Sequence, residues 1–105
     1  MKNITISWQN EYSKTVSYYN LAEAIVLVYI DTYGEIPTMD DLNDFIWEEE
    51  SLYDYADDLL EYLFPYYTDS NCSYTKLLDL DIEKNDFYEY LEIAINNVFN
   101  SSGDN

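Results

Sequence analysis

Residues 20–34, NLAEAIVLVYIDTYG, are apolar on nearly every side of a helix. A helix without a solvent face has to be surrounded by other elements. Asn20 is a good N-cap, and Glu23 stands at the third helical position, as in a capping box. Gly34 fits just past the C-terminal end, where a left-handed residue closes a helix. The remainder of the chain is therefore expected to wrap this central helix.

The flanking segments offer the wrapping. NITISW alternates, with Ile4, Ile6 and Trp8 on one side and Thr5 and Ser7 on the other, which is strand periodicity. QNEYSK can turn the chain and TVSYY can return as a second strand. After the central helix, Thr38 is a candidate N-cap with Asp41 as its box partner. Met39, Leu42, Phe45 and Ile46 form an apolar stripe behind them. Ser51 can cap a further helix in which Leu52, Ala56, Leu59, Leu60 and Leu63 share one face, and Pro65 stops it. PYYTDSNCSYT reads as a loop, and KLLDLDI is ambiguous because Leu78, Leu80 and Ile82 alternate like a strand. Asn85 can cap a last helix with Phe87, Leu91, Ala94, Ile95 and Val98 inward, and SSGDN should fray. The expected architecture is a single α+β domain, mainly helical. A small N-terminal β-hairpin packs with about four helices over residues 1–100, followed by a tail at 101–105. A length of 105 residues suits one domain with a modest core.

Charge is the unusual property. Twenty-two acids face four lysines, Lys2, Lys14, Lys76 and Lys84, with no arginine and no histidine. From Thr15 to Thr75 there are fourteen acids and no base. At 48 % hydrophobic and 18 % aromatic the chain is too apolar for a disordered acidic tail. Self-repulsion on this scale opposes compaction. Like charges one helical turn apart cost roughly 0.2–0.5 kcal/mol each. Either the core is strong enough to bear this or the charge has a use.

The acids fall in a pattern. Asp40, Asp44 and Glu48 stand at i, i+4, i+8 of the second expected helix, flanked by Asp41 and followed by Glu49. On a regular helix that row spreads over about 12 Å. Glu50, Asp54, Asp57, Asp58 and Glu61 fall opposite the leucine stripe of the third. Neighbours three or four apart lie about 5–6 Å from each other. That is comparable with phosphates on a duplex, which recur every ~3.4 Å of axis along one strand. A charged outer face on an amphipathic helix is usually only a solvated face, but such faces pair glutamate with lysine. Here the lysines are missing, which favours a functional acidic surface. Tyr29 is expected in the core, as are Trp8 and Trp47. Tyr53, Tyr55 and Tyr62 sit among the acids. They either edge the stripe or supply rigid contact area at a protein interface, where tyrosine is enriched.

Such a surface repels nucleic acid and anionic membranes and attracts basic grooves. Other chemistries find little support. Without histidine there is no triad or imidazole base, and without arginine no guanidinium clamp for a phosphate. Glycine occurs only at Gly34 and Gly103, so no phosphate-binding glycine loop is present. One cysteine, Cys72, allows neither an internal disulfide nor a Cys/His zinc site. Residues 81–92, DIEKNDFYEYLE, carry oxygen-bearing side chains at several EF-hand loop positions. Asp86 stands where that loop needs glycine, and a capped acidic helix is the better reading. No cofactor and no catalysis are expected. The N-terminal residues lack an apolar leader, and AIVLVYI is far shorter than the ~20 residues of a membrane span. A cytoplasmic location is the expectation.

Small size, extreme acidity, abundant aromatics and depletion of bases resemble the DNA mimics of phages and mobile elements, which block restriction enzymes or CRISPR effectors. YADDLLEYL, residues 55–63, is similar to the acidic helices of phage anti-restriction proteins. The resemblance implies function more than architecture. The implied function is occupation of the basic DNA-binding groove of a host defence protein, in a bacterial cytoplasm, in competition with DNA. The partner would be a basic nucleic-acid-binding protein, a nuclease or a CRISPR effector. A homodimer would lengthen the charged array. The candidate contact residues are Asp40, Asp41, Asp44, Glu48, Glu49, Glu50, Asp54, Asp57, Asp58 and Glu61, with Tyr53 and Tyr62. The alternatives are an immunity protein that neutralises a nuclease toxin, a calcium-binding module and an acidic scaffold.

Overall fold

The computed structural model describes residues 3–8, 12–49, 51–63 and 83–103. Within these ranges only the backbone is described at 5–8, 12–14, 53, 56, 57, 60 and 101–103. The expected loop at 65–75 with Cys72, the KLLDLDI stretch and Glu50 lie outside the described residues.

Strands β1 (Asn3–Trp8) and β2 (Tyr12–Ser17) form an antiparallel hairpin in the register Asn3 to Ser17 through Trp8 to Tyr12. Ile4 pairs with Val16, and both side chains are buried. β2 begins earlier than the sequence pattern suggested, and the next element begins earlier too. Helix α1 runs Tyr18–Tyr33, so Tyr18 and Tyr19 are helical, and the N-cap is Ser17 rather than Asn20. The Ser17 hydroxyl accepts the Asn20 N–H at 3.0 Å. The reason lies far along the chain. Tyr18 is 3 % exposed and meets Phe87 and Tyr90 edge to face, with centroids 5.4 and 5.8 Å away. Its hydroxyl accepts the N–H of Glu83 at 3.2 Å. Burying that ring pulls the helix start back by one turn. Glu23, freed from the expected box, accepts the Tyr19 hydroxyl at 2.9 Å. At the other end Gly34 closes α1 as expected: its φ of 75° is left-handed and its N–H reaches Ile30 O at 2.7 Å.

α1 is the central element, with Leu21, Ala22, Ile25, Val26 and Val28 essentially without solvent exposure. Its largest partner is the last helix, α4 (Lys84–Gly103), which lays Phe87, Leu91 and Ala94 against it. α4 starts before Asn85, which lies inside its first turn. Its backbone is helical through Gly103, into the segment expected to fray. Asn97 Nδ2 donates to the Tyr19 hydroxyl at 2.7 Å, which continues the link to Glu23 and ties the two helices on their solvent side.

The stretch between these helices is helical but irregular. Helix α2 (Met39–Asn43) opens with the expected capping box. Asp41 N–H donates to Thr38 Oγ1 at 3.2 Å, and Thr38 N–H donates to Asp41 Oδ2 at 3.0 Å. Instead of continuing as a regular helix, the chain passes into a π turn at Asp44–Glu48, closed by Glu49 N–H to Asp44 O at 2.7 Å. A turn closed i to i+5 spreads one circle over more residues, so three successive side chains subtend a narrower arc. Here those three are Phe45 and Ile46, buried, and Trp47, packed on the core edge. A 3₁₀ turn at Ser51–Tyr55 follows, so Ser51 is its first residue, and helix α3 covers Ala56–Leu63. Leu52 and Leu59 are buried and Leu63 partly so, as their spacing implied. α3 packs on α1. An aromatic cluster joins the pieces: Phe45 meets Tyr29 edge to face at 5.4 Å and stacks on Tyr55 at 6.0 Å. No helix among the described residues is long and apolar enough to cross a membrane.

Candidate functional site

None of the described acids is buried. Asp40, Asp44, Glu48 and Glu49 are exposed around α2 and the π turn. Asp54 is exposed on the 3₁₀ turn, and Asp58 and Glu61 on α3. Asp41 is half-buried and spends one carboxylate oxygen on the Thr38 N–H, so part of its role is to start α2. The side chains of Tyr53 and Asp57 lie outside the description, as does Glu50.

The irregular helices change the expected geometry. Asp40 and Asp44 are one α-turn apart, with the Asp44 N–H directed to Asp40 O and Asp41 O. The next step, Asp44 to Glu48, lies within the π turn, where i and i+4 no longer stack squarely. The row expected on one regular helix is therefore skewed at its second half. Asp54 stands on a different helix type from Asp58 and Glu61, so those acids do not form a single straight line either.

The structure instead gathers acids around two open grooves. The first, about 350 Å³, is lined by Asp31 from α1 and by Asp58, Glu61 and Tyr62 from α3. The Tyr62 hydroxyl donates to Asp31 Oδ2. That bond, then partial burial, then the negative charges of Asp31, Asp58 and Glu61 push its ionisation up to about 12. The phenol thus reports a locally negative potential, because forming a phenolate beside three carboxylates is unfavourable. The second groove, about 450 Å³, lies between α2 and α4. It is lined by Met39, Asp40, Asn43, Tyr88, Glu89 and Glu92. Tyr29, buried against Tyr33 and Phe45, is also held above its usual range, by burial first and then by Asp41, Glu35, Tyr33 and Glu49.

Asp31, Glu89 and Glu92 were not among the candidates read from the sequence. Glu89 and Glu92 stand three apart on the outer face of α4, and that spacing could have found them. Asp31 belongs to the helix that reads as apolar all round, and only the packing of α3 on α1 shows where it goes.

Two other sequence readings can be placed. Residues 84–92 are helical, so the described part of the EF-hand-like stretch is an acidic helix and not a loop, although Asn85 lies inside its first turn and does not cap it. Among the described residues no group of three or more acids, histidines or cysteines is arranged to hold a metal ion. The arrangement can offer carboxylate acceptors and aromatic faces to a cationic surface. The chain matches no protein-family model, no curated protein and no solved structure.

Proposed function

We propose that this protein is a DNA-mimic inhibitor, which places its acidic surface in the basic DNA-binding groove of a nuclease or CRISPR effector and so excludes DNA. One observation carries the reading. The segment Thr38–Leu63 exposes Asp40, Asp44, Glu48, Glu49, Asp54, Asp58 and Glu61, in a chain with no base anywhere from Thr15 to Thr75. Seven exposed carboxylates on one covering segment are a standing electrostatic cost for the fold, and a basic partner removes it. The partner gains what it would gain from phosphates: charge-assisted hydrogen bonds from arginine and lysine. Encounter is steered by the long-range field, so association is fast at low salt and slows as salt rises.

The test is a capture from bacterial lysate at low salt, followed by competition for the captured partner with labelled duplex DNA. The expected outcome is mutual exclusion, weakening as salt is added. A partner that binds DNA normally with this protein still attached contradicts mimicry.

A further inference from the structure

The acidic surface has an aromatic corner, and a cation already sits on it. Trp47 comes from the π turn and Tyr88 from α4. Their rings meet with centroids 5.4 Å apart and planes at 74°. The Lys84 ammonium lies over both, 5.0 Å from the Trp47 centroid and 5.7 Å from that of Tyr88. Both lie within the ~6 Å over which a ring quadrupole attracts a cation. The walls are fixed. Trp47 packs edge to face on the buried Phe87 at 6.3 Å, and the Tyr88 hydroxyl donates to Asn43 Oδ1. Both rings are half-buried, whereas Lys84 is exposed on a flexible stem. Lys84 is also the first residue of α4, where a positive charge opposes the helix dipole, so helix chemistry does not ask for a lysine there. Tyr88 is shared with the second groove, so the corner borders on Asp40, Glu89 and Glu92.

We propose that the Trp47–Tyr88 corner receives an arginine side chain of the basic partner, and that Lys84 holds the corner in the free protein and is displaced. Arginine is the fitting class. Its guanidinium is flat and weakly hydrated, stacks on aromatic faces, and carries several N–H donors for neighbouring carboxylates. The lysine offers only a compact, strongly hydrated charge. The inference rests on the reading of a basic partner, but its test needs none.

The probe is N-acetyl-L-arginine methylamide, which carries a single guanidinium. It is titrated while the Trp47 indole N–H is followed by NMR, the resonance being assigned from Trp47→Phe. Lys84→Ala vacates the corner and should tighten apparent binding about two- to fivefold, the factor by which a surface cation–π contact competes. Lys84→Arg keeps a resident cation of the better-fitting class and should bind the probe no more tightly than the unaltered protein. Lys2→Ala makes the same change in net charge as Lys84→Ala and should titrate like the unaltered protein. The proposal is overturned if Lys84→Ala and Lys2→Ala are indistinguishable, or if the probe shifts acidic-surface resonances evenly without singling out Trp47 and Tyr88. Neither result bears on DNA competition, so the corner can fail while mimicry stands.

Discussion

Helix α1 and the segment that covers it, Thr38–Leu63, are both helical, for different reasons. α1 is one unbroken helix, capped by the Ser17 hydroxyl and the left-handed Gly34, and its neighbours bury it on most sides. Its regularity costs nothing, because an apolar residue is welcome at almost every position. The covering segment has to keep Leu42, Phe45, Ile46, Leu52 and Leu59 in while holding its carboxylates out. It does so in four pieces, α, π, 3₁₀ and α. The contrast teaches that stability and surface charge are separate properties here. The apolar residues decide where the segment sits, and the exposed acids decide what it presents, while the half-buried Asp41 also caps α2.

That separation can be broken by substitution. The largest effect is expected in the core. Phe87 is fully buried between Tyr18 and Trp47, so Phe87→Ala should lower unfolding free energy by about 3–5 kcal/mol in urea denaturation. Asp44→Ala on the exposed face should stay within about 0.5 kcal/mol. Similar losses at both positions would mean that the acids are structural after all.

An intermediate effect belongs to the cap where the covering segment begins. Thr38→Ala removes the hydroxyl that accepts the Asp41 N–H and should cost about 1 kcal/mol. Serine at the same position should restore most of it. Failure of serine to do so would shift the role of Thr38 from capping to packing.

The smallest effect lies at Tyr62, where the covering segment touches α1. Its ionisation is raised from 10 to about 12, so the folded state disfavours the phenolate. The contribution to stability is therefore fully present below pH 10 and fades as pH rises toward 12. Tyr62 is 41 % exposed, and solvent screens the contact, so the change should be slight. Tyr62→Phe should flatten the fall in stability across that window, and a tyrosinate absorbance titration should lose one late-ionising group. An unchanged alkaline profile would remove the Asp31 contact from consideration.

Local chemistry was legible in the sequence, and long-range packing was not. The Thr38–Asp41 box and the Gly34 cap rest on residues within one turn of each other, so their side chains announce them. The hairpin was visible in the alternation of residues 4–8, and α4 in the inward spacing of Phe87, Leu91 and Ala94. Ser17 against Asn20 was a choice between two adequate caps. It was decided by Tyr18 packing on Phe87, some seventy positions away. The π turn left no mark, because Leu42, Phe45 and Ile46 fit a regular helix equally well. The acidic surface could be read as a composition but not as a place. That Asp58 and Glu61 share a groove with Asp31, and Asp40 shares another with Glu89 and Glu92, depends on which helices meet.

The most direct measurement joins charge to function in one variant. Asp54, Asp57, Asp58 and Glu61 are reversed to lysine together, and thermal stability and DNA competition are measured side by side. Unchanged or raised stability is expected, because repulsion is relieved, with affinity for the captured partner lowered roughly ten- to a hundredfold or more. A folded variant that excludes DNA as well as the unaltered protein would contradict the proposal that this surface stands in for the phosphate backbone.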